Sequence, residues 1–217
     1  GHPLVDRVAA AATTAREVDL VALLPGSRES EVAALWPSFV ETARTLAEQV
    51  PGVRFEVPLA PTVNRASLPV PPGLDVDVVG EPAAAVLSRA SCALVASGTA
   101  TLEAALCGTP HAVAYRVSGL TWVLGKLLVR GVGHVALSNL VGGADEGEEA
   151  VAPEFLQDLR PAEMARPLAS WLTDGAAADR TREQLERVRE RAGEPGAAAR
   201  AAAAVDGVLT EPPDKTR

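Results

Sequence analysis

Aromatic residues and cysteines are scarce in this 217-residue chain. Phe, Trp and Tyr make up 3% of the sequence, which argues against a sandwich held together by large aromatic side chains. Hydrophobic residues still reach 47%, and small aliphatic side chains let helices pack closely on a sheet, so an α/β fold is favoured. Cys92 and Cys107 lack metal-ligand spacing, and we expect both to be reduced, buried thiols of a cytoplasmic protein.

Positive charge and long apolar runs are also in short supply. The 20 Lys and Arg residues face 28 Asp and Glu residues, for a formal net charge of -8. Nucleic-acid binding needs clustered positive charge, so we expect no nucleic-acid partner, and an anionic ligand would need a local site. No apolar run approaches the roughly 18 residues that cross a bilayer, and no signal-peptide pattern opens the chain. We therefore expect a soluble protein.

Short apolar runs alternate with helical patterns over the first two thirds of the sequence. The predicted strands span residues 19–24, 53–59, 75–79, 92–96, 111–115 and 134–137. The predicted helices span residues 30–49, capped by Ser30, then 83–90, 120–129, 161–173, 175–192 and 195–209, and another begins at Ser97. This alternation predicts a Rossmann-like α/β fold, a parallel sheet of about six strands with flanking helices, followed by C-terminal helices. We assign residues 1–210 to one domain and 211–217 to a disordered tail.

Two turns have the character of ligand loops. In an open parallel sheet, ligands bind beyond the carboxyl ends of the strands. Leu-Pro-Gly-Ser-Arg at 24–28 follows the first predicted strand, and Ser-Gly-Thr-Ala-Thr at 97–101 follows the fourth. The second turn opens a helix, where backbone N–H groups and the helix dipole favour an anion. Glu103 shares a face with Thr99 and is spaced to accept hydrogen bonds from a ribose diol.

Simpler interpretations of the same residues stay open. Ser-Gly-Thr is an ordinary capping sequence, and Glu103 alone is compatible with a solvated helix residue. The glycines match neither the G-x-G-x-x-G nor the Walker pattern. Arg28 is compatible with a surface arginine paired with Glu31. The single features are weak, and their combination carries the hypothesis.

An ordered series of motifs is more specific than either turn. The series is LLPGSR at 23–28 followed by Glu31, ASGTATLEAAL at 96–106, Gly-Thr-Pro at 108–110, AYRVS at 114–118 with Thr121 and Trp122, SNL at 138–140 and VAPEFLQ at 151–157. Together these stretches resemble the lipid-A-disaccharide synthase family, over residues 1 to about 210. The resemblance implies one half of a GT-B glycosyltransferase, in which two Rossmann-like domains flank the reaction cleft.

The resemblance also implies a reaction and its site residues. The family transfers an acylated glucosamine from UDP, here a UDP-2,3-diacylglucosamine-like donor, to the 6-hydroxyl of an acylated glucosamine 1-phosphate, with inversion and without a metal or other cofactor. Arg28 is the implied catalytic residue, because it would neutralise charge on the departing UDP. The implied donor-binding residues are Gly26, Ser27, Ser97, Gly98, Thr99, Ala100 and Thr101 around the diphosphate, Glu103 at the ribose, and Tyr115, Arg116, Asn139 and Gln157 around the sugar and cleft.

Length and local departures qualify this assignment. The family protein is nearly twice as long, and its acceptor-binding domain precedes the Gly-His-Pro-Leu stretch at 1–4. The chain therefore resembles a donor-binding half, inactive until joined to that amino-terminal partner domain. The family usually has proline where this chain has Ser138, and the acidic stretch 144–150 is longer than expected.

Alternative functions and partners stay open as well. One alternative is half of another UDP-sugar GT-B enzyme, an epimerase or a peptidoglycan glucosaminyl transferase, although AYRVS and PEFLQ weigh against it. The other is a non-catalytic module that binds a nucleotide or a partner. Residues 120–130 suit core packing better than a membrane surface, yet the family implies contact with the inner face of the cytoplasmic membrane. A homodimer through the C-terminal helices is a further possibility.

Overall fold

A computed structural model describes residues 1–9, 15–116 and 133–210, with side chains described as far as 206. Six strands form one sheet in the order β3-β2-β1-β4-β5-β6, and all five neighbouring pairs are parallel. The strands are β1 Glu17–Leu24, β2 Arg54–Pro58, β3 Val76–Val79, β4 Ala90–Ala96, β5 His111–Tyr115 and β6 Glu154–Leu156. This order is that of a Rossmann-like sheet, and the predicted fold class is confirmed.

Helices cover both faces of the sheet. Within the described ranges they are α1 Pro3–Ala9, α2 Glu29–Gln49, α3 Ala83–Arg89, α4 Thr99–Leu106, α5 Leu137–Gly142, α6 Pro161–Thr173, α7 Gly175–Ala192 and α8 Ala197–Thr210. Two 3₁₀ turns lie at Arg65–Ser67 and Ala144–Glu146. None of the helices in these ranges is both long and apolar enough to cross a membrane.

The alternation of side chains along β1 and β4 builds two core layers. Val21 and Leu23 of β1 face α2 and α6, whereas Leu20 and Ala22 face α3 and α4. Every residue of β4 is buried, as expected for a central strand covered on both faces. Both cysteines are free and buried in these layers, as the sequence predicts, and burial raises the pKa of each thiol.

The sixth strand is not where the sequence places it. Residues 134–137 are not a strand, and α5 begins at Leu137. Glu154–Leu156 pairs with β5 instead, with Val113 opposite Glu154. The apolar run at 135–137 resembles a strand locally, but its amides at Val135 and Ala136 donate to the Glu154 carboxylate rather than to β5. That choice depends on a contact between distant parts of the chain.

The predicted caps are wrong at two helices. Helix α2 begins one residue before Ser30, with Arg28 at the N-cap and no side-chain cap. Gly98, not Ser97, is the N-cap of α4. The predicted helix at 120–129 and the tail at 211–217 lie outside the described residues.

Candidate functional site

The β1–α2 and β4–α4 turns lie side by side at the carboxyl end of the sheet. Strands β1 and β4 are neighbours, with Leu24 opposite Val95 near their ends. The strand order reverses between them, because β2 and β3 continue beyond β1 while β5 and β6 continue beyond β4. Ligands of open α/β sheets bind at such a switch point. The structure therefore brings the two predicted ligand turns together where the fold favours a ligand.

Gly98 shapes the turn that opens α4. Its backbone has φ 142° and ψ -158°, a conformation essentially reserved for glycine. A Cβ placed on Gly98 would meet no atom within 4 Å, so backbone strain rather than crowding demands glycine here. Helix α4 has no side-chain cap, and because the Thr101 N–H donates to the Gly98 carbonyl over 3.2 Å, the N–H groups of Thr99 and Ala100 are the ones left for an anion.

Three small residues of this turn have different surroundings. Thr99 is exposed, and Ala100 packs its methyl group against the core beneath α4. Thr101 is fully buried, and its hydroxyl donates to the Gly98 carbonyl over 2.8 Å. Ala100 can therefore offer a ligand its backbone N–H, whereas the N–H and the hydroxyl of Thr101 both donate to the Gly98 carbonyl.

Ser97 fastens the turn to the segment that precedes α5. Its hydroxyl donates to the Val135 carbonyl over 2.9 Å, and for that reason it does not cap α4. Its backbone N–H donates to the Ala114 carbonyl at the end of β5. Ser97 thus ties the start of α4 to the elements on the β5 side of the crevice.

Glu31 organises the turn after β1. Gly26 has φ 123°, and a Cβ there would lie 2.8 Å from Glu31 Cβ, so a larger residue is excluded. The Ser27 N–H donates to Glu31 Oε2 over 3.1 Å, and Arg28 Nη1 donates to Glu31 Oε1 over 2.7 Å. The Arg28 side chain is 77% exposed, so the ion pair holds it only weakly.

A second contact closes the outer side of this turn. Glu29 accepts hydrogen bonds from the Asn64 N–H and the Ser67 hydroxyl, and Thr62 donates to the Ser27 carbonyl. Hydrogen bonding from Ser67 and Asn64 lowers the pKa of the Glu29 carboxyl. The proline-rich loop at 60–73 is therefore packed against the β1–α2 turn.

Glu103 is buried one helical turn beyond the anion position. Its side chain is 9% exposed, and its Oε1 lies 3.9 Å from Arg7 Nη2 of α1. Burial raises the pKa of the Glu103 carboxyl, and the Arg7 charge partly offsets the rise. The interpretation of Glu103 as a solvated residue is therefore excluded. A carboxylate so placed has unused capacity for hydrogen-bond donors.

Asn139 and Glu154 position the segment at 135–139 through buried hydrogen bonds. Asn139 is fully buried, with its amide nitrogen donating to the Ala152 carbonyl and its oxygen accepting from the Ala152 N–H. Glu154 accepts from the Val135 and Ala136 N–H groups and from Asn139 Nδ2. Asn139, which the motif places around the donor sugar, is used here for internal hydrogen bonds.

The remaining predicted residues lie at the ends of β5 and β6. The Gln157 N–H donates to the Tyr115 carbonyl over 2.9 Å, and Gln157 has a left-handed backbone with φ 65°. Tyr115 and Gln157 are half-buried, and Arg116 is exposed. Since neighbouring strands are roughly 5 Å apart, these residues lie about one and two strands from the Gly98 turn.

Two residues of the site escaped the sequence analysis. Arg7 is 96 positions from Glu103 in the numbering, and no local pattern links them. Glu154 stood within the VAPEFLQ stretch at 151–157, but no role was assigned to it there. No group of three or more His, Cys, Asp or Glu side chains able to hold a metal ion occurs in the described part of the chain.

Comparison with known proteins identifies the family. A family model described as lipid-A-disaccharide synthetase matches residues 1–206. The chain belongs to the lipid-A-disaccharide synthetase family. This confirms the resemblance carried by the ordered motifs from LLPGSR to VAPEFLQ.

Curated relatives of the lipid-A-disaccharide synthetase family support the match. The lipid-A-disaccharide synthase of Geobacter metallireducens is 38% identical over 218 residues, covering 94% of this chain and 55% of the relative. That of Syntrophotalea carbinolica is 36% identical over 232 residues, covering 100% of this chain and 57% of the relative. The chain thus spans about half the length of the curated relatives it matches.

Solved structures with the same fold are glycosyltransferases. The calicheamicin glycosyltransferase CalG4 aligns over 90% of this chain and 44% of its own, with TM-score 0.55 and 20% identity. The spinosyn forosaminyltransferase SpnP aligns over 95% of this chain and 46% of its own, with TM-score 0.53 and 14% identity. At such identities the likeness shows the fold alone, and that fold is one GT-B-like half.

Proposed function

We propose that this chain is the donor-binding half of a lipid-A-disaccharide synthase, a transferase of hexosyl groups. The observation that carries the proposal is the pairing of the Gly26 and Gly98 turns at the switch point of the sheet, in a chain of this family. The donor is a UDP-linked acylated glucosamine, and the acceptor is an acylated glucosamine 1-phosphate. Inversion at the sugar gives a β-1,6 disaccharide and UDP.

The N-terminus of α4 is the proposed diphosphate site. Gly98 leaves the N–H groups of Thr99 and Ala100 for the diphosphate, while the Thr101 N–H donates to the Gly98 carbonyl, and the helix dipole favours negative charge there. Ser97 keeps the turn in place through Val135. Negative charge on the diphosphate grows as the sugar bond breaks, so these donors stabilise the transition state more than the bound substrate.

The Arg28 side chain is the mobile group that contributes to stabilising this transition state. It pairs with Glu31, and its high exposure leaves it free to turn toward the diphosphate. Glu31 still holds the Ser27 N–H, so the turn keeps its shape when Arg28 moves. A guanidinium and a helix N-terminus together can balance the charge of UDP without a metal ion.

Glu103 is the proposed ribose ligand. Its carboxylate is largely desolvated, and Arg7 at 3.9 Å compensates it incompletely. A ribose diol would donate two O–H hydrogen bonds to this carboxylate. These hydrogen bonds would replace the hydrogen bonds to water that burial has removed. Tyr115, Arg116 and Gln157 border the sugar, whereas Asn139 acts through the segment it positions.

The nucleophile and the general base belong to a partner domain. We infer that an acceptor-binding domain closes over the carboxyl edge of this sheet, brings the 6-hydroxyl to the sugar carbon and takes its proton. The complete enzyme would act at the cytoplasmic face of a membrane, where its acylated substrates reside, and pairing of two copies is compatible with the family. This chain alone is expected to bind UDP without turning over.

Calorimetric titration of the 217-residue chain with UDP tests donor binding. We expect saturable binding that Glu103→Ala weakens about tenfold, since a hydrogen bond to a charged group contributes roughly 1.5–3 kcal/mol. Glu163→Ala is the matched control, because Glu163 is an exposed carboxylate paired with Arg160 on α6. A folded chain that gives no heat at millimolar UDP would refute the donor site.

A reconstitution experiment separates an enzyme half from a binding module. The amino-terminal half of a relative is added to this chain, and disaccharide formation is assayed with acylated donor and acceptor. Product formed only by the mixture supports the transferase. UDP binding without product, while an intact relative is active in parallel, would favour the non-catalytic module.

A further inference from the structure

A cavity lies at the amino edge of the sheet, on the side opposite the nucleotide turns. Its volume is about 480 Å³, and it is bounded by α1, α7 and the ends of α3 and α4. Arg16 precedes β1 and Gly108 precedes β5, which places both at the amino ends of the strands. Three arginines line this cavity, namely Arg16, Arg182 and Arg189.

Arg16 brings a positive charge that pairs with no carboxylate among the described residues. Its guanidinium donates to the carbonyl oxygens of Leu87, Ala90, Cys107 and Gly108 and to the Thr109 hydroxyl, at 2.6 to 3.2 Å. Carbonyl groups satisfy its N–H donors but carry no net charge. Burial lowers the pKa of Arg16, and the nearby Arg182 and Arg189 charges lower it further.

Arg182 has a hydrogen-bond donor left over. Its Nη1 donates to Asp179 Oδ1 over 2.6 Å, but its Nε is buried without any partner. Among the described residues, this is the single buried side-chain nitrogen or oxygen left in that condition. That nitrogen has less than 1 Å² of accessible surface, so a ligand in the cavity would meet Arg182 through Nη2, the guanidinium nitrogen that Asp179 does not engage.

The balance of charge around the cavity is positive. Arg189 donates through Nε to the Leu106 carbonyl and through Nη1 to Glu186 Oε1, at 2.8 and 3.0 Å. The carboxylates of Asp179 and Glu186 are 71% and 54% exposed and pair with Arg182 and Arg189. They leave the more buried Arg16 charge without a counterion.

We propose that this cavity binds a phosphate-class anion. The anion accepts a hydrogen bond from Arg182 Nη2, which Asp179 does not engage, and it balances the charge of Arg16. Guanidinium groups recognise phosphate oxygens through such directed, charge-assisted hydrogen bonds. The length of α4 separates this site from the Gly98 turn, because Thr99 begins the helix at that turn and Leu106 ends it at the cavity.

The test is calorimetric titration of the 217-residue chain with inorganic phosphate at constant ionic strength. We expect saturable binding that Arg182→Gln weakens about tenfold or more, as expected for loss of one charge-assisted hydrogen bond. Arg180→Gln is the matched control, because Arg180 lies on the same helix, is 67% exposed and reaches only Asp174 at 3.9 Å. This control should bind phosphate like the parent chain.

A second variant and a second ligand make the outcome decisive. Arg182→Lys keeps the charge but lacks the planar guanidinium, and circular dichroism verifies that both variants are folded. Glycerol 3-phosphate carries the terminal group of a phospholipid headgroup. Binding of inorganic phosphate assigns a free-phosphate site, and binding of glycerol 3-phosphate alone assigns a phosphomonoester site.

Two results would overturn the proposal. The first is no binding of either ligand by the folded parent chain. The second is a Kd that both Arg182 variants share with Arg180→Gln, because phosphate held only at the nucleotide turns would be indifferent to Arg182 and displaced by UDP.

Discussion

Asn139 Nδ2 donates a 2.7 Å hydrogen bond to Glu154 Oε1, and this contact joins α5 to the start of β6. The same carboxylate also accepts the Val135 and Ala136 N–H groups, and Ser97 binds the Val135 carbonyl. The buried Asn139–Glu154 pair therefore positions the segment before α5. The turn that opens α4 is bonded to that segment through Ser97. Removal of the pair should affect both stability and donor binding.

Asn139→Ala should lower the free energy of unfolding by about 2–3 kcal/mol, because it leaves the Ala152 N–H and carbonyl unpaired in a buried position. Urea unfolding at neutral pH measures the loss. Gln184→Ala is the control amide, since Gln184 Nε2 donates to Glu149 on the surface, and it should cost well under about 1 kcal/mol. Equal effects of the two substitutions would contradict the positioning role of Asn139.

UDP affinity should fall with decreasing pH through a window above the ordinary glutamate pKa. Burial raises the pKa of Glu103, and only the ionised carboxylate accepts hydrogen bonds from both ribose hydroxyls. Protonation therefore removes the acceptor as pH drops through the raised pKa. Calorimetric Kd values measured at several pH values should show this loss for the parent chain.

Glu103→Gln should bind UDP weakly at every pH in that window. Because a raised folded-state pKa means that ionisation opposes folding, the same variant should unfold at a higher temperature than the parent when UDP is absent. A parent-like pH dependence in Glu103→Gln would assign the titration to another group.

Arg28→Ala should leave the stability of the chain nearly unchanged, because its exposed pair with Glu31 contributes at most about 1 kcal/mol. In the reconstituted enzyme it should lower kcat by roughly a hundredfold or more, as for loss of one charge-stabilising donor. UDP affinity should fall much less than kcat. Arg44→Ala, which removes a similar pair with Glu41, should retain full activity. Parent-like kcat for Arg28→Ala would refute its catalytic role.

His111 should make the fold sensitive to acid. Burial lowers its pKa to about 4, while its ring nitrogens contact the Thr109 carbonyl and the Ser138 hydroxyl, each at 2.9 Å. The unfolded chain binds a proton near the ordinary histidine pKa of 6.5, so stability is complete above that value and is lost as pH falls toward about 4. We expect about 2 kcal/mol less stability at about pH 4.5 than at about pH 7 from this group.

Urea unfolding of the parent and of His111→Gln at both pH values isolates this contribution. The variant is expected to be less stable at neutral pH, but its stability should change less on acidification. An identical pH dependence in the two proteins would show that other groups control the acid response.

Ser138 illustrates a substitution that the structure explains. The motif resemblance led us to expect proline at this position, whereas here the Ser138 N–H donates weakly to Thr101 Oγ1 over 3.4 Å and its hydroxyl contacts His111. The serine therefore serves a buried polar partner that a proline ring lacks. From the sequence, position 138 only raised doubt about the shape of the segment.

Local sequence patterns were sufficient to predict a feature where the pattern repeats along one helix or strand. The apolar run of β4, the helical spacing in α2 and the order of strands and helices predicted the parallel sheet, and the turn motifs predicted the family. Gly26 and Gly98 were assigned to the two turns that follow β1 and β4, and both glycines have positive φ values there. These features depend on neighbours within a few residues, so sequence alone determined them.

Tertiary structure decided the features that depend on distant partners. The sixth strand lies at Glu154–Leu156 because the amides at 135 and 136 prefer the Glu154 carboxylate, and no local pattern records that competition. Glu103 becomes buried beside Arg7 only when remote segments pack together. The same packing brings three arginines to one cavity, namely Arg16, Arg182 and Arg189. The solvation and the electrostatic environment of a site depend on all the groups around it. Those groups come together only when the chain folds.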